Sequence, residues 1–146
     1  IRPVPAELLV HRKPGESSAE VALRVLAARK IQSARFRDYN IFVNAEMSGE
    51  LLRQFCPLDD ECSEIMKKMA ARTGISARAF SRVLKLSRTI ADLEAGARLI
   101  TFWKSIQPEV NAATIGSAPF PEGYSEPPIL PKHIFEAFSY RFLDRL

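Results

Sequence analysis

Apolar residues recur at intervals of three and four in several segments, which is the spacing of one face of an α-helix. The first such segment follows a capping box, Ser17-x-x-Glu20, whose side chains satisfy free amides of a first helical turn. We expect a long helix from here to about Arg37. Its apolar stripe is predicted to be Val21, Val25, Ala28 and Ile31. The basic residues are expected mostly outside this stripe: Arg24, Arg29, Lys30, Arg35 and Arg37.

Two shorter helices are predicted next. Ser48 can cap a helix from Gly49 to about Phe55, which Pro57 prevents from continuing. Asp59 is the N-cap candidate of the following helix, and Gly74 is its expected stop. The core face of this helix is predicted to be Cys62, Ile65, Met66 and Met69.

A fourth helix is predicted from the Ser76 cap to about Glu94, with Gly96 as its terminator. At 100° per residue, one side gathers Phe80, Val83, Leu84, Ser87, Ile90 and Ala91. The roughly opposite side gathers Arg78, Arg82, Lys85 and Arg88. This helix is therefore expected to have an apolar back and a cationic front.

The helical period is lost from Ile100 to Pro128, where prolines and aromatic residues are frequent. Because this stretch is too apolar for a disordered linker, we expect it to pack at least in part on the helical body. A last helix is predicted from Pro131 to about Phe142, burying Ile134, Ala137 and Phe138. The pattern thus predicts an all-α bundle of about five helices over residues 17–146. Residues 1–16 form a proline-spaced linker, and an irregular insertion occupies about 101–128.

Composition narrows the class of protein without naming it. The chain has 146 residues, 47% of them hydrophobic, a net charge of +4 and a pI of about 9.3. This size fits one globular domain, and the charge suits a polyanionic partner or simply a solvated basic surface. No apolar run approaches the length that crosses a bilayer. Cys62 is expected to be a buried thiol rather than a metal ligand or a disulfide partner of Cys56, which fits a reducing cytoplasm.

The motifs of an independent enzyme are missing from the sequence. No Gly-Lys pair occurs, so there is no Walker A loop, and neither a Gly-x-Ser-x-Gly elbow nor a His-Glu-x-x-His helix is present. Arg78 is the main candidate for phosphate contact, since it lies in the first turn behind the Ser76 cap, where the helix dipole also attracts anions. The alternative for this basic face is a solvated surface.

One run of the chain resembles the C-terminal domain of magnesium-chelatase-like ComM/YifB proteins, which belong to the AAA+ ATPases. The run comprises Leu58 to Glu61 followed by Gly74-Ile75-Ser76-Ala77-Arg78-Ala79-Phe80-Ser81-Arg82-Val83-Leu84-Lys85-Leu86-Ser87-Arg88-Thr89-Ile90-Ala91-Asp92-Leu93. Similar motifs occur near Pro14 and around His133, so the resemblance covers residues 1–99 and 129–146. About 28 residues between them look inserted relative to the family pattern.

The resemblance implies that the chain is a helical lid that packs over a nucleotide held by a preceding AAA+ core domain. By motif position Arg78 is the sensor 2 arginine that contacts the γ-phosphate, in cis or in trans, and Arg82 is a weaker candidate. ATP and Mg²⁺ would bind to the full-length parent rather than to this fragment, which is not an ATPase alone. ComM-type members are hexameric motors that process DNA. The alternative within the resemblance is the ATPase subunit that drives Mg²⁺ insertion into porphyrin.

Two further classes stay open from the residues themselves. A freestanding nucleic-acid-binding module would use the basic residues of the first helix, Arg24, Arg29, Lys30, Arg35 and Arg37, as phosphate contacts. An oligomerisation or protein-interaction domain would instead draw on the aromatic insertion. In that case Trp103 and Phe120 would be partner anchors rather than local core.

Overall fold

The computed structural model describes residues 15–143, except for the side chains of residues 141–143. Within this range it contains five α-helices and no strand, which confirms the predicted all-α class. The helices are α1 (Ser18–Arg35), α2 (Gly49–Phe55), α3 (Asp60–Thr73), α4 (Ala77–Ile106) and α5 (Pro131–Leu143), with a 3₁₀ turn at Asn44–Glu46. Most of the predicted linker, residues 1–14, lies outside the described part.

The starts of three helices follow the predicted caps. In the capping box of α1, the Glu20 amide donates to Ser17 Oγ at 3.3 Å and the Ser17 amide donates to Glu20 Oε2 at 2.9 Å. Asp59 accepts from the amide of the third residue of α3, and Ser76 accepts from the amide of the third residue of α4. Gly74 ends α3 in the left-handed region at φ 60°. These ends are determined by local sequence.

The predicted end of α4 is wrong. The helix continues for 30 residues to Ile106, so Gly96 lies inside it and the irregular segment begins at Gln107 instead of Ile100. A Cβ atom at position 96 would lie 3.0 Å from Ala27 Cβ and 3.1 Å from the Ala28 nitrogen. Gly96 therefore allows α1 to approach α4 closely, and it does not terminate the helix.

Helix α4 is the central element, and α1, α2 and α5 all pack against it. One apolar cluster joins α4 to α2, α3 and α5 and includes Leu52, Cys62, Met66, Val83, Ile134 and Phe138. A second cluster joins α4 to α1 and the irregular segment and includes Ala27, Ile31, Ala95, Leu99, Trp103 and Ile115. The predicted burial of Ile134, Ala137 and Phe138 on the last helix is confirmed.

The irregular segment packs on the helical body, as predicted. Trp103 is 1% exposed, and its indole nitrogen donates to the Pro119 carbonyl at 2.6 Å. Phe120 stacks on Tyr124 with ring centroids 4.6 Å apart, and both rings pack against the second cluster. Trp103 and Phe120 are therefore parts of the local core.

The predicted apolar stripe of α1 is partly wrong. Val21 and Val25 are 40% and 44% exposed, whereas the buried residues are Ala27, Ala28, Ile31, Gln32 and Arg35. The helix is rotated from the expected orientation, because small side chains must face Gly96 and because Arg35 enters the core. An arginine predicted to lie at the surface is thus an interior residue.

Candidate functional site

An open groove of about 600 Å³ lies beside the first turns of α4. The sequence placed Arg78, Arg82 and Lys85 on one face of this helix, and the structure brings all three to the groove. Ala45, from the 3₁₀ turn, forms part of the opposite wall, and it is far away in sequence. The remaining lining residues are Ser81, Leu86 and Thr89.

The groove is cationic. Arg78 and Arg82 are exposed, and neither side chain makes a hydrogen bond or an ion pair with any residue in the described part of the chain. Lys85 Nζ donates to the Ala45 carbonyl at 2.7 Å, which ties the helix to the opposite wall. No acidic residue lines the groove. Two guanidinium groups are therefore available to an external anion.

The position of Arg78 strengthens this attraction. It is the second residue of α4, two positions after the Ser76 cap, so it lies where the free amides and the positive end of the helix dipole are found. Arg82 follows one turn later on the same face. The arrangement suits a terminal phosphate, because a guanidinium offers several donors in a fixed plane and stays charged near neutrality.

Arg88 does not belong to this face, contrary to the sequence prediction. It is 2% exposed, and its guanidinium donates to the Pro127 carbonyl at 2.6 Å and to Asp92 Oδ1 at 3.2 Å. The helical wheel placed Arg88 with the other basic residues, but the irregular segment covers this part of α4. The cationic face is therefore shorter than predicted and ends at Lys85.

A buried polar network lies behind the groove, and the helical pattern of the sequence does not predict it. Arg35 donates to both carboxylate oxygens of Asp92, at 2.6 and 2.8 Å, and to Glu126 at 2.9 Å. Asn44 accepts from Arg35 at 2.8 Å and donates to Asp92 at 2.7 Å. The side chains of Arg35 and Asp92 are both 0% exposed. The network joins α1, the 3₁₀ turn, α4 and the irregular segment.

The network reaches the groove through one hydroxyl. Thr89 lines the groove and accepts from Asn44 Nδ2 at 3.1 Å. Burial lowers the pKa of Arg35, but Asp92 and Glu126 outweigh this effect, and the net pKa is raised. A charged side chain on an otherwise apolar helix face, as Asp92 is among Ile90, Ala91 and Ala95, was the sequence signal for this network.

The remaining titratable groups lie outside the groove. Cys56 and Cys62 are both free and buried, as predicted for Cys62, and burial raises the pKa of each thiol to about 11. Lys132 and His133 lower the pKa of Glu94 to about 2. No group of three metal-ligating side chains and no helix able to cross a membrane occurs among the residues placed by the structure.

One protein family and several known proteins match this chain. The family described as "Magnesium chelatase, subunit ChlI C-terminal" matches residues 15–101. The protein YifB of Salmonella typhimurium, described as uncharacterised, is 31% identical over 144 residues, which cover 99% of this chain and 22% of that protein. YifB of Escherichia coli is 34% identical over 133 residues, or 91% of this chain and 20% of that protein.

A third relative carries a functional name. The competence protein ComM of Haemophilus influenzae is 42% identical over 80 residues, which cover 55% of this chain and 15% of that protein. No solved structure matches the chain. The chain thus spans about a fifth of the length of the YifB relatives.

Proposed function

The chain belongs to the magnesium chelatase ChlI C-terminal family, as the C-terminal domain of a ComM/YifB-type protein, and from this premise we propose that it is the lid of an AAA+ ATPase. In the intact protein, Arg78 contacts the γ-phosphate of an ATP that a preceding core domain holds together with Mg²⁺. Arg82 is the second candidate for this contact. The lid alone hydrolyses nothing, since it lacks a triphosphate-binding loop.

One observation carries the proposal: two unpaired guanidinium groups share an acid-free groove at the capped start of α4. A cation on the terminal phosphate distinguishes ATP from ADP, because the contact is lost when the γ-phosphate leaves. The wall that carries Ala45 is fixed to α4 by Lys85 and to the buried network by Asn44. We expect loss of the contact to be passed to the whole lid as one packed unit.

We further propose that the parent is a cytoplasmic, hexameric motor that processes DNA. The relationship to a competence protein supports this role over the insertion of Mg²⁺ into porphyrin. The basic pI of about 9.3 agrees with an anionic polymer as the partner.

The test is ATP turnover by the full-length parent carrying Arg78→Ala. A hydrogen bond to a charged group contributes about 1.5–3 kcal/mol, so we expect the turnover rate to fall about 10- to 150-fold. Arg72→Ala is the matched control, because Arg72 is also an exposed arginine and lies in the last turn of α3. Both variants should keep the helical circular dichroism of the wild type. Unchanged turnover in Arg78→Ala would refute the proposed contact.

Mixed assemblies distinguish a contact in cis from one in trans. Subunits with Arg78→Ala are combined with subunits whose core domain cannot bind ATP. If Arg78 acts on the neighbouring subunit, the second type supplies the missing arginine to the first, and turnover reappears on mixing. If it acts on its own subunit, no complete site exists and the mixture stays inactive.

A further inference from the structure

A second cationic groove lies between α1 and the irregular segment that follows α4. It encloses about 440 Å³. One wall carries Arg29, Lys30, Ser33 and Arg37, and the other carries Gly116 and Phe120. No acidic residue lines it. The groove exists only because the irregular segment folds back along α1, so the helical pattern alone could not reveal it.

The basic residues of α1 and of the turn that follows it differ in their surroundings. Arg24 pairs with Glu16 at 2.6 Å, and Arg35 is buried against Asp92. By contrast, the side chains of Arg29 and Arg37 are exposed and make no hydrogen bond or ion pair with any residue that the structure describes. Both unpaired arginines line the same groove. No residue of the described domain neutralises their charge.

Lys30 holds the two walls together and adds to the positive charge. Its Nζ donates to the Gly116 carbonyl at 2.7 Å and lies 5.4 Å from the centre of the Phe120 ring. Burial lowers its pKa. Lys30 is thus a fixed part of the groove, whereas Arg29 and Arg37 have side chains free to meet a ligand.

The chemistry of the walls indicates the class of ligand. The apolar lining residues Leu26, Ile115 and Phe120 are buried or half-buried, so they offer little surface to anchor the side chains of an acidic peptide. The Phe120 ring is already engaged by Tyr124 and Lys30, so we do not expect bases to stack on it. What remains is a pair of guanidinium groups beside a serine hydroxyl, which suits phosphate oxygens.

We propose that this groove binds the sugar–phosphate backbone of double-stranded nucleic acid, through Arg29 and Arg37, without reading the bases. Its biological setting rests on the proposed function, that of a DNA-processing motor, but the contact needs neither ATP nor Arg78. Since each arginine neutralises one phosphate, binding must weaken steeply as salt is added.

The test is fluorescence anisotropy of a short labelled duplex titrated with the 146-residue chain between about 25 and 200 mM salt. At low salt, R29A/R37A should bind at least about tenfold more weakly than the wild type. The slope of log K against log salt should become about 2 units shallower, one for each lost phosphate contact. The double variant R29K/R37K should retain most of the binding, because it keeps the charge.

Two control variants separate this groove from general charge and from the first groove. R53A/R72A removes the same charge from exposed positions on α2 and α3, and it should bind within about twofold of the wild type. R78A/R82A tests the first groove, and its loss of duplex binding should be smaller than that of R29A/R37A. Circular dichroism confirms that each variant is folded.

Several results would overturn the proposal. Equal losses in R29A/R37A and R53A/R72A would mean that only net charge matters, and a loss in R78A/R82A alone would move the contact to the first groove. A preference for single strands over duplex would indicate base stacking, and equal competition by an acidic peptide would indicate a different ligand. Duplex binding that survives R78A/R82A would still support this groove if ATP turnover proved independent of Arg78. The two proposals can therefore fail separately.

Discussion

Replacing Asp92 by alanine should destabilise the domain more than any surface substitution. The Asp92 carboxylate is 0% exposed and accepts hydrogen bonds from Arg35, Arg88 and Asn44. Without it, Arg35 keeps Glu126 and Asn44, whereas Arg88 keeps only a backbone carbonyl. Two buried guanidinium groups therefore lose a shared counter-charge. Removing one partner of a buried ion pair costs about 3–5 kcal/mol. That is a large part of the roughly 5–15 kcal/mol that stabilises a typical domain.

Urea unfolding of the chain, followed by circular dichroism, measures this cost. Asp92→Asn keeps the shape and one acceptor oxygen, so it should unfold at a urea concentration between those of the wild type and Asp92→Ala. Glu64→Ala is the control, because Glu64 is exposed and solvent screens its ion pair with Lys67, so this variant should unfold close to the wild type. A loss below about 1 kcal/mol for Asp92→Ala would refute the view that the network holds the four segments together.

Two other substitutions test the helix packing and the acid stability. Gly96→Ala should lower the melting temperature, because overpacking against the α1 backbone costs about 1–3 kcal/mol and exceeds the helix-propensity gain of about 1 kcal/mol; a higher melting temperature would contradict the close approach at Ala27. Glu94 has a pKa lowered to about 2 from 4.5, so its stabilisation is present above pH 4.5 and is lost as the pH falls toward 2. Glu94→Gln should therefore lower the free energy of unfolding by about 1 kcal/mol at pH 7 after solvent screening, and it should have almost no effect near pH 2. Urea unfolding at both pH values checks this. A difference between variant and wild type that does not change with pH would contradict it.

The sequence predicts the helix starts well because caps are local. Ser17, Asp59 and Ser76 each bond to an amide three residues later, so the pattern within one turn is sufficient. The sequence wrongly predicts Gly96 as a stop, because the role of this glycine depends on Ala27, a residue far away in sequence. Tertiary contact outweighs local propensity at such positions.

The candidate site was predictable only in part, for the same reason. Arg78 and Arg82 share a helix face, so their proximity follows from the helical repeat. The opposite wall at Ala45 and the second groove at Gly116 depend on how loops fold back, which no periodicity encodes. The sequence predicts Arg35 and Arg88 at the surface, because charged residues are rarely buried. Both are buried here because they share the buried carboxylate of Asp92.

The segment from Gly74 to Leu93, which resembles the ComM/YifB pattern, has two halves with different roles in the structure. Arg88 and Asp92, from its second half, are buried and hold the core together. Arg78, from its first half, is exposed at the groove and makes no contact that the fold requires. Substitutions in the second half should therefore impair folding, whereas Arg78→Ala should leave the fold intact.

The most direct test of the account is an experimental structure of the full-length parent bound to a non-hydrolysable ATP analogue and Mg²⁺. We predict that the Arg78 guanidinium lies at hydrogen-bond distance, about 3 Å, from a γ-phosphate oxygen held by its own or a neighbouring subunit. An occupied nucleotide site with the groove of Arg78 and Arg82 turned away into solvent would contradict the central claim.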